Sequence, residues 1–148
     1  MATTFSITDR GLDPGALRAA MPTTAAGACV TFEGWVREMN DGRDVNSLEY
    51  EAYAAVAEKE GGTIMAEAME RFDIEGARCV HRVGHLQLGE CAVWVGVTAG
   101  HRGEAFDACR YIIDEVKRRV PIWKKEHYAD GDSGWINAEA AAPSAPPV

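Results

Sequence analysis

The sequence predicts a single α+β domain in which helices pack on an antiparallel or mixed β-sheet. Its length of 148 residues fits one domain of ordinary size. Several short segments alternate apolar and polar residues, as strands do, and others repeat apolar residues three and four positions apart, as helices do. We expect the domain to span residues 1–137. Residues 138–148 are rich in Ala and Pro with little to bury, which predicts a disordered tail.

The first half of the chain contains signals for two helices and two strands. Asp13 followed by Pro14 predicts a helix start, because Asp caps free backbone N–H groups and Pro suits the first turn. Gly61 and Gly62 weaken the middle of the second helix by ~1 kcal/mol each relative to Ala. We expect the two strands to form a long-looped antiparallel hairpin through turn residues at 40–42. The expected elements are helix 14–21, strands 27–37 and 45–53, and helix 54–72.

The second half predicts three strands followed by a strongly amphipathic helix. The strands are expected at 77–83, 86–88 and 91–99, and the last is nearly all apolar, which favours a central position in its sheet. Pro121 ends the helix, because proline lacks the N–H that a helix interior needs. The positions expected to face the core are Ala105, Phe106, Cys109, Ile112, Ile113 and Val116.

Composition excludes several classes of protein. A net charge of −8 argues against nonspecific binding to nucleic acid or to an anionic membrane. No apolar run approaches the roughly 20 residues that span a bilayer, and the start lacks a signal-peptide pattern, so we expect a cytoplasmic protein. The four cysteines form no CxxC pair, which favours buried thiols over a disulfide framework or a zinc site.

A basic cluster near the end of the last helix is a candidate anion site. Cations at the end of a helix complement the negative end of its dipole, which explains Lys117, Arg118 and Arg119 adequately. It explains Lys124 and Lys125 poorly. A lysine beside other cations and apolar residues loses affinity for its proton, so it can serve as a nucleophile, an acid–base group or an anion anchor. The cluster comprises Lys117, Arg118, Arg119, Lys124 and Lys125.

Two other positions are weaker candidates. His101 and Arg102 lie between the buried strand and the helix, where the histidine can exchange protons and the arginine can bind a phosphate or carboxylate. An exposed loop histidine beside a solvated arginine is the commoner explanation of such a pair. Arg37 ends a strand and suits either a salt bridge or a ligand contact. His81 and His85 do not share a helical face, so we expect no metal, and no phosphate loop or dinucleotide motif predicts a cofactor.

Five segments together resemble the large subunit of molybdopterin synthase. The resemblance covers residues 27–137, and the order of the segments is far more specific than any one of them. It implies an α/β-hammerhead fold. The segments are FEGWVR at 32–37, LEYEAY at 48–53, HRVGHLQLGE at 81–90, AGHRGEAFDACRYIIDEVKRRVPIWKKE at 99–126 and DGDSGW at 130–135.

The resemblance implies a sulfurtransferase that acts on cyclic pyranopterin monophosphate. Sulfur arrives as a thiocarboxylate on the C-terminus of a small ubiquitin-like carrier subunit, and two transfers give the molybdopterin dithiolene of the molybdenum cofactor. The implied catalytic residues are Lys117, Lys124 and His101. The implied substrate-binding residues are Trp35, Val36, Arg37, His101, Arg102, Lys117, Lys124, Lys125 and Glu126.

The family resemblance also implies partners. The large subunits form a homodimer within a heterotetramer, with one small subunit at each outer end, and a pocket can draw residues from both large subunits. Two alternatives stay open. One is a sulfurtransferase that carries persulfide on Cys109 or Cys91, although apolar surroundings raise a thiol's pKa and suppress its reactivity. The other is a noncatalytic scaffold whose basic segment docks an acidic partner.

Overall fold

A computed structural model describes residues 3–21, 24–40, 42–128 and 131–137. The predicted disordered tail, 138–148, lies outside them. The helices are α1 (Pro14–Ala19), α2 (Ala54–Arg71) and α3 (Arg102–Arg119). The strands are β1 (Thr4–Thr8), β2 (Ala28–Trp35), β3 (Met39–Asn40), β4 (Arg43–Ala52), β5 (Ile74–Arg82), β6 (Gly84–Gln87), β7 (Cys91–Ala99), β8 (Ile122–Tyr128), β9 (Gly131–Asp132) and β10 (Ile136–Asn137).

The first sheet has four strands in the order β1-β5-β7-β2. β1 pairs with β5 in parallel, and the other pairs are antiparallel. Residues 92–99 of β7 are all buried, which confirms its predicted central place. No strand was predicted at β1, which adds the parallel edge of this sheet.

Helices α2 and α3 pack against the first sheet and against each other. The main core lies between them and includes Ile64, Val95 and Ile112, each with no exposed surface. Gly61 is buried in α2, where an added Cβ would lie 2.2 Å from a ring carbon of Phe5. This glycine therefore allows β1 to approach the helix. Gly62 has no neighbour within 4 Å of a Cβ and plays no such part.

The second sheet runs in the order β10-β8-β4-β3, with β6 also paired to β4 and β9 to β8. Its residues Val45 and Leu48 form a smaller core cluster with Val36, Leu86 and Ala92. Ile122 of β8 joins the main core instead. The smaller cluster thus joins the second sheet to the start of β7, and Ile122 joins it to the main core that contains α3.

The α+β class, the helices packed on mixed sheet and the Asp13 cap are confirmed. Asp13 Oδ1 accepts a hydrogen bond from the backbone N–H of Ala16 at 3.2 Å. The predicted hairpin between the strands expected at 27–37 and 45–53 was wrong. β2 pairs with β7, whose backbone needs a hydrogen-bonding partner at each edge, whereas β4 pairs with β3, β6 and β8.

Two further details differ from the predictions. Phe106 was expected in the core but is 60% exposed, because α3 turns it away from the buried row of Ala105, Cys109 and Ile112. The segment after Pro121 was predicted as a basic segment without assigned structure, yet it forms β8. Among the described residues, no helix is long and apolar enough to cross a membrane.

Candidate functional site

Strand β8 divides the last basic residues between two faces, because side chains alternate along a strand. Lys124 and Glu126 share one face, and the Lys124 ammonium lies 3.4 Å from a Glu126 carboxylate oxygen. Lys125 points to the other face, where its ammonium lies 4.8 Å from the ring centroid of Trp135. The structure therefore separates these neighbouring lysines, and only Lys124 contributes to the cavities described below.

The last turn of α3 likewise separates its cations. Arg119 pairs with three carboxylates, those of Glu60, Glu67 and Glu115, at 3.0, 2.6 and 3.2 Å. Arg118 pairs with Glu115 at 2.5 Å. These two arginines stabilise the outer helical face. Lys117 has no carboxylate within ion-pair distance among the described residues, so it differs from both in what it can bind.

Two adjoining cavities open where the C-terminal end of α3 meets both sheets. We name them the Arg37 cavity, of about 230 Å³, and the His81 cavity, of about 80 Å³. Arg37 and Glu126 line the first, and His81 lines the second together with apolar residues of β7 and α3. The residues that line both cavities are Trp35, Tyr50, Lys117 and Lys124.

The cavities combine three cations, Arg37, Lys117 and Lys124, with one carboxylate. That carboxylate, Glu126, is buried and already bound: Oε2 faces Lys124, and Oε1 accepts a hydrogen bond from the Tyr128 hydroxyl at 2.5 Å. Lys117 is exposed as a whole residue, but the cavity walls desolvate its ammonium. That desolvation, and secondarily the charge of Lys124, lowers the pKa of Lys117. The excess of positive charge suits an anionic ligand.

The partly buried Tyr50 and the buried His81, neither of which was predicted as a site residue, also line these cavities. Tyr50 lies directly opposite Lys124 in the β4–β8 pairing, and burial, followed by the charge of Glu126, raises its pKa to about 12. Burial, opposed by a hydrogen bond to the Arg82 carbonyl and aided by the charge of Lys117, lowers the pKa of His81 to about 4. The sequence signal for both was their place in the segments LEYEAY and HRVGHLQLGE, which carry the family resemblance.

Besides Lys125, three predicted residues lie outside the cavities. His101 is the N-cap of α3 and Arg102 its first residue, whereas Lys117 lies in the last turn. At ~1.5 Å of rise per residue, His101 and Lys117 are roughly 24 Å apart along the helix. Within one chain, His101 and Arg102 are exposed and do not reach the cavities. Val36 is buried in the smaller core cluster and supports the cavity walls from behind.

The chain is similar to known proteins of one family. A family model described as MoaE protein matches residues 7–119. The chain is 46% identical over 125 residues to a molybdopterin synthase catalytic subunit of Pyrococcus abyssi, with 84% of each chain covered. It is 42% identical over 133 residues to that of Thermoplasma volcanium, covering 90% of this chain and 97% of the other. This chain belongs to the MoaE family. The resemblance seen in the motifs is thereby confirmed.

Solved structures of MoaE-type proteins share the fold. Molybdopterin synthase from Staphylococcus aureus superposes with a TM-score of 0.83 at 38% identity, covering 88% of this chain and 95% of that chain. A chain from a complex of subunits 1 and 2 of molybdopterin-converting factor from Helicobacter pylori gives a TM-score of 0.71 at 19% identity, covering 86% and 87%. The two sheets and the packed helices are therefore the MoaE fold.

The described part of the MoaE-family chain holds no group of three or more His, Cys, Asp or Glu side chains placed to bind a metal ion.

Cys91 and Cys109, the two candidate persulfide carriers, are poorly suited to nucleophilic chemistry. Burial raises the pKa of Cys109 to about 11, with a smaller contribution from Cys29, and burial followed by the charge of Glu33 raises the pKa of Cys91. Thiols held protonated in this way are weak nucleophiles.

Proposed function

We propose that this MoaE-family chain is the catalytic subunit of molybdopterin synthase. It transfers two sulfurs from the thiocarboxylated C-terminus of a small carrier subunit to cyclic pyranopterin monophosphate. The observation that carries this proposal is the grouping of Arg37, Lys117 and Lys124 around two adjoining cavities. Both reactants are anions, and positioned cations in a desolvated site stabilise them and the charge that develops during transfer.

Each cation has a distinct place in the proposed reaction. Lys117 receives the thiocarboxylate tail of the carrier, because its ammonium faces both cavities and has no carboxylate partner in the described chain. Lys124, held by Glu126, assists chemistry at the pterin side chain. Arg37 binds the substrate phosphate with the bidentate geometry that guanidinium groups favour. Trp35, 65% exposed at the rim, covers the pterin.

The remaining implied residues act indirectly or from a second copy. His101 and Arg102 contribute to the site of the other chain in a homodimer, where His101 transfers a proton as the cyclic phosphate opens and Arg102 binds phosphate. Val36 supports the cavity from the smaller core. Lys125 contacts the ring of Trp135 rather than the substrate. The assembly is a heterotetramer of two large and two small subunits in the cytoplasm.

In each round one carbon–sulfur bond forms on the pterin side chain as a carbon–oxygen bond at the same carbon breaks, and that oxygen leaves either with the phosphate as its ring opens or as water. Water then cleaves the bond between that sulfur and the carrier's acyl carbon, which returns the carrier tail as a carboxylate. Two rounds are needed for a dithiolene, so the monosulfur intermediate stays bound while carriers exchange. A cluster of fixed cations provides that retention, since it holds the phosphate while the tail leaves.

The experiment uses the two lysines that lie on opposite faces of β8. The purified chain is mixed with thiocarboxylated carrier and cyclic pyranopterin monophosphate, and the dithiolene product is measured by mass. We expect Lys124→Ala to lower the rate by about 100-fold, as loss of a charge-stabilising group does. Lys125→Ala, the matched control, should stay within about threefold because it leaves both cavities unchanged. Equal rates for the two variants would remove Lys124 from the mechanism.

The same assay separates the two alternatives. If sulfur travels as a persulfide on this chain, replacing all four cysteines with Ala or Ser abolishes turnover in a folded protein. We expect that variant to keep its turnover, because the thiols of Cys91 and Cys109 are protonated. If the chain is a scaffold, Lys117→Ala weakens carrier docking but turnover recovers at saturating carrier. We expect no such recovery.

A further inference from the structure

Tyr50 is a partly buried tyrosine of β4 to which the proposed transfer assigns no task. Its ring packs against both the main core and the smaller core cluster. It also meets the ring of His81 at an angle of 75°, with 5.1 Å between the ring centroids. These contacts hold the ring in place. A phenylalanine would make all of them, so packing does not account for the hydroxyl group.

The Tyr50 hydroxyl has no hydrogen-bond partner among the described residues, although a buried tyrosine hydroxyl usually has one. The hydroxyls of Tyr111 and Tyr128, by contrast, each donate to a carboxylate. In the described part of the chain, the enclosed side-chain atoms without a partner are Thr3 Oγ1 and Arg82 Nε. Because the Tyr50 hydroxyl is not one of them, it keeps access to solvent through the two cavities that it lines.

The surroundings of this hydroxyl favour an anionic acceptor. Tyr50 and Lys124 lie directly opposite each other in the β4–β8 pairing, which places their side chains on one face with Cβ atoms about 5 Å apart. Lys117 lines the same two cavities. The carboxylate in the wall, Glu126, already has Lys124 at one oxygen and Tyr128 at the other. Burial, followed by the charge of Glu126, raises the pKa of Tyr50 to about 12, so the phenol keeps its hydrogen near pH 7 and can donate it.

We propose that Tyr50 is a further catalytic residue of this site: its hydroxyl donates a hydrogen bond to an anionic oxygen of the ligand held between Lys117 and Lys124. Two ammonium groups on flexible stems attract any anion. An O–H bond on a ring held by packing adds direction, because a hydrogen bond requires its acceptor at one distance and angle. The oxygen belongs either to the carrier's tail or to the substrate phosphate. The inference rests on the proposed function for the identity of these two ligands.

Tyr50→Phe tests the hydrogen bond, because it removes the hydroxyl and keeps the ring. The matched control is Tyr53→Phe, since Tyr53 lies in the same segment, is 77% exposed and lines neither cavity. Isothermal titration calorimetry of the full-length chain measures the binding of inorganic phosphate and of the carrier in its carboxylate form. We expect Kd for at least one of them to rise by about tenfold in Tyr50→Phe, as loss of a hydrogen bond to a charged group predicts. Tyr53→Phe should leave both values unchanged.

The two titrations also identify the source of the oxygen. A higher Kd for phosphate assigns the bond to the substrate phosphate, and a higher Kd for the carrier assigns it to the tail. Unchanged binding of both ligands in folded Tyr50→Phe overturns the proposal. It is also overturned if the wild-type chain binds neither ligand.

The wild-type chain provides a check that needs no folded variant. NMR of tyrosine labelled with ¹³C at the ζ carbon, which carries the hydroxyl, should show the Tyr50 signal moving when the ligand is added. The signal of Tyr53 should stay in place. A Tyr50 signal that moves with neither phosphate nor the carrier, each at saturation, overturns the hydrogen bond.

Turnover separates this inference from the proposed function. We expect kcat/KM of Tyr50→Phe to fall by about tenfold for the reactant whose binding is weakened, and that of Tyr53→Phe to stay at the wild-type value. If the wild-type chain forms no dithiolene, the proposed function fails, but calorimetry and NMR still decide the hydrogen bond. If the wild-type chain forms dithiolene and Tyr50→Phe matches it in kcat/KM for both reactants, the proposed function stands and the role of Tyr50 falls.

Discussion

Lys124 and Glu126 lie two residues apart on one face of β8, with 3.4 Å between the ammonium nitrogen and a carboxylate oxygen. Both side chains are largely buried, at 14% and 5% exposure. Tyr128 donates a hydrogen bond to the second carboxylate oxygen. Glu126 therefore orients Lys124, a cation of the site. Burial distinguishes this ion pair from the ion pairs on the surface.

Replacing Glu126 with Gln should destabilise the fold, because it leaves the Lys124 charge without a carboxylate in a poorly solvated place. We expect the free energy of unfolding, measured in urea, to fall by about 3 kcal/mol. The double variant Lys124→Met with Glu126→Gln should recover most of that loss, since it removes the uncompensated charge as well.

The exposed pair of Arg110 and Asp114 is the control for this prediction. Its side chains are 84% and 65% exposed. Asp114→Asn should change stability by less than about 0.5 kcal/mol. A Glu126→Gln effect as small as that of Asp114→Asn would contradict the buried ion pair.

Alanine at the two adjacent glycines of α2 should have opposite effects. Gly61→Ala places a Cβ 2.2 Å from the Phe5 ring, so we expect it to destabilise the protein by about 1 to 3 kcal/mol. Gly62→Ala meets nothing within 4 Å and should stabilise it by about 1 kcal/mol through helix propensity. Urea unfolding of both variants measures the difference. Equal effects would show that β1 does not pack against Gly61.

Stability should depend on pH through His81. Folding lowers its pKa from the ordinary 6.5 to about 4, so between these values the unfolded chain binds more protons than the folded one. The contribution of His81 is therefore complete above about pH 6.5 and decreases as the pH falls toward 4. We expect a loss of about 1.5 kcal/mol between pH 6.5 and about pH 5 from this group.

Urea unfolding across that range measures the slope, and His81→Gln should remove it. Glu67, whose pKa is lowered to about 2 first by a hydrogen bond from Arg119, acts in a different window. Its stabilisation is present above the ordinary carboxyl range and is lost at lower pH. A slope that persists unchanged in His81→Gln would assign it to another group.

Local patterns in the sequence predicted most of the elements, and long-range contacts account for what was missed. The apolar run of β7 and the amphipathic repeat of α3 each reflect burial along one element, so both were readable. β1 and β8 were not predicted, because their place depends on partners distant in the chain, β5 and β4. Gly61 was interpreted as a weak point of α2, because its contact with Phe5 is also distant in the chain. The structure shows that Gly61 allows the Phe5 ring to approach the helix.

The candidate site was predictable as a set of charges but not as a geometry. The basic cluster marked Lys117 and Lys124, yet period-two alternation along β8, once that strand is known, is what separates Lys124 from Lys125. His81 was considered as a metal ligand and set aside. Its place beside Lys117 follows from the packing of β5 against α3, which no local pattern contains.

A shared site in the homodimer predicts recovery of activity on mixing two inactive variants. His101 lies at the opposite end of α3 from Lys117, so the proposed site combines Lys124 of one copy with His101 of the other. His101→Ala and Lys124→Ala should each abolish most turnover alone. When the two are mixed and allowed to exchange subunits, half of the dimers contain one copy of each and have one intact site of two. We expect about a quarter of wild-type turnover, by the symmetry of a two-fold dimer.

If each site were built within one chain, every site in the mixture would carry a defect and no turnover would return. Failure to recover activity in a mixture shown by mass to contain mixed dimers would therefore place His101 outside the shared site, and the proton transfer proposed for it would fall to a residue that lines the cavities within one chain.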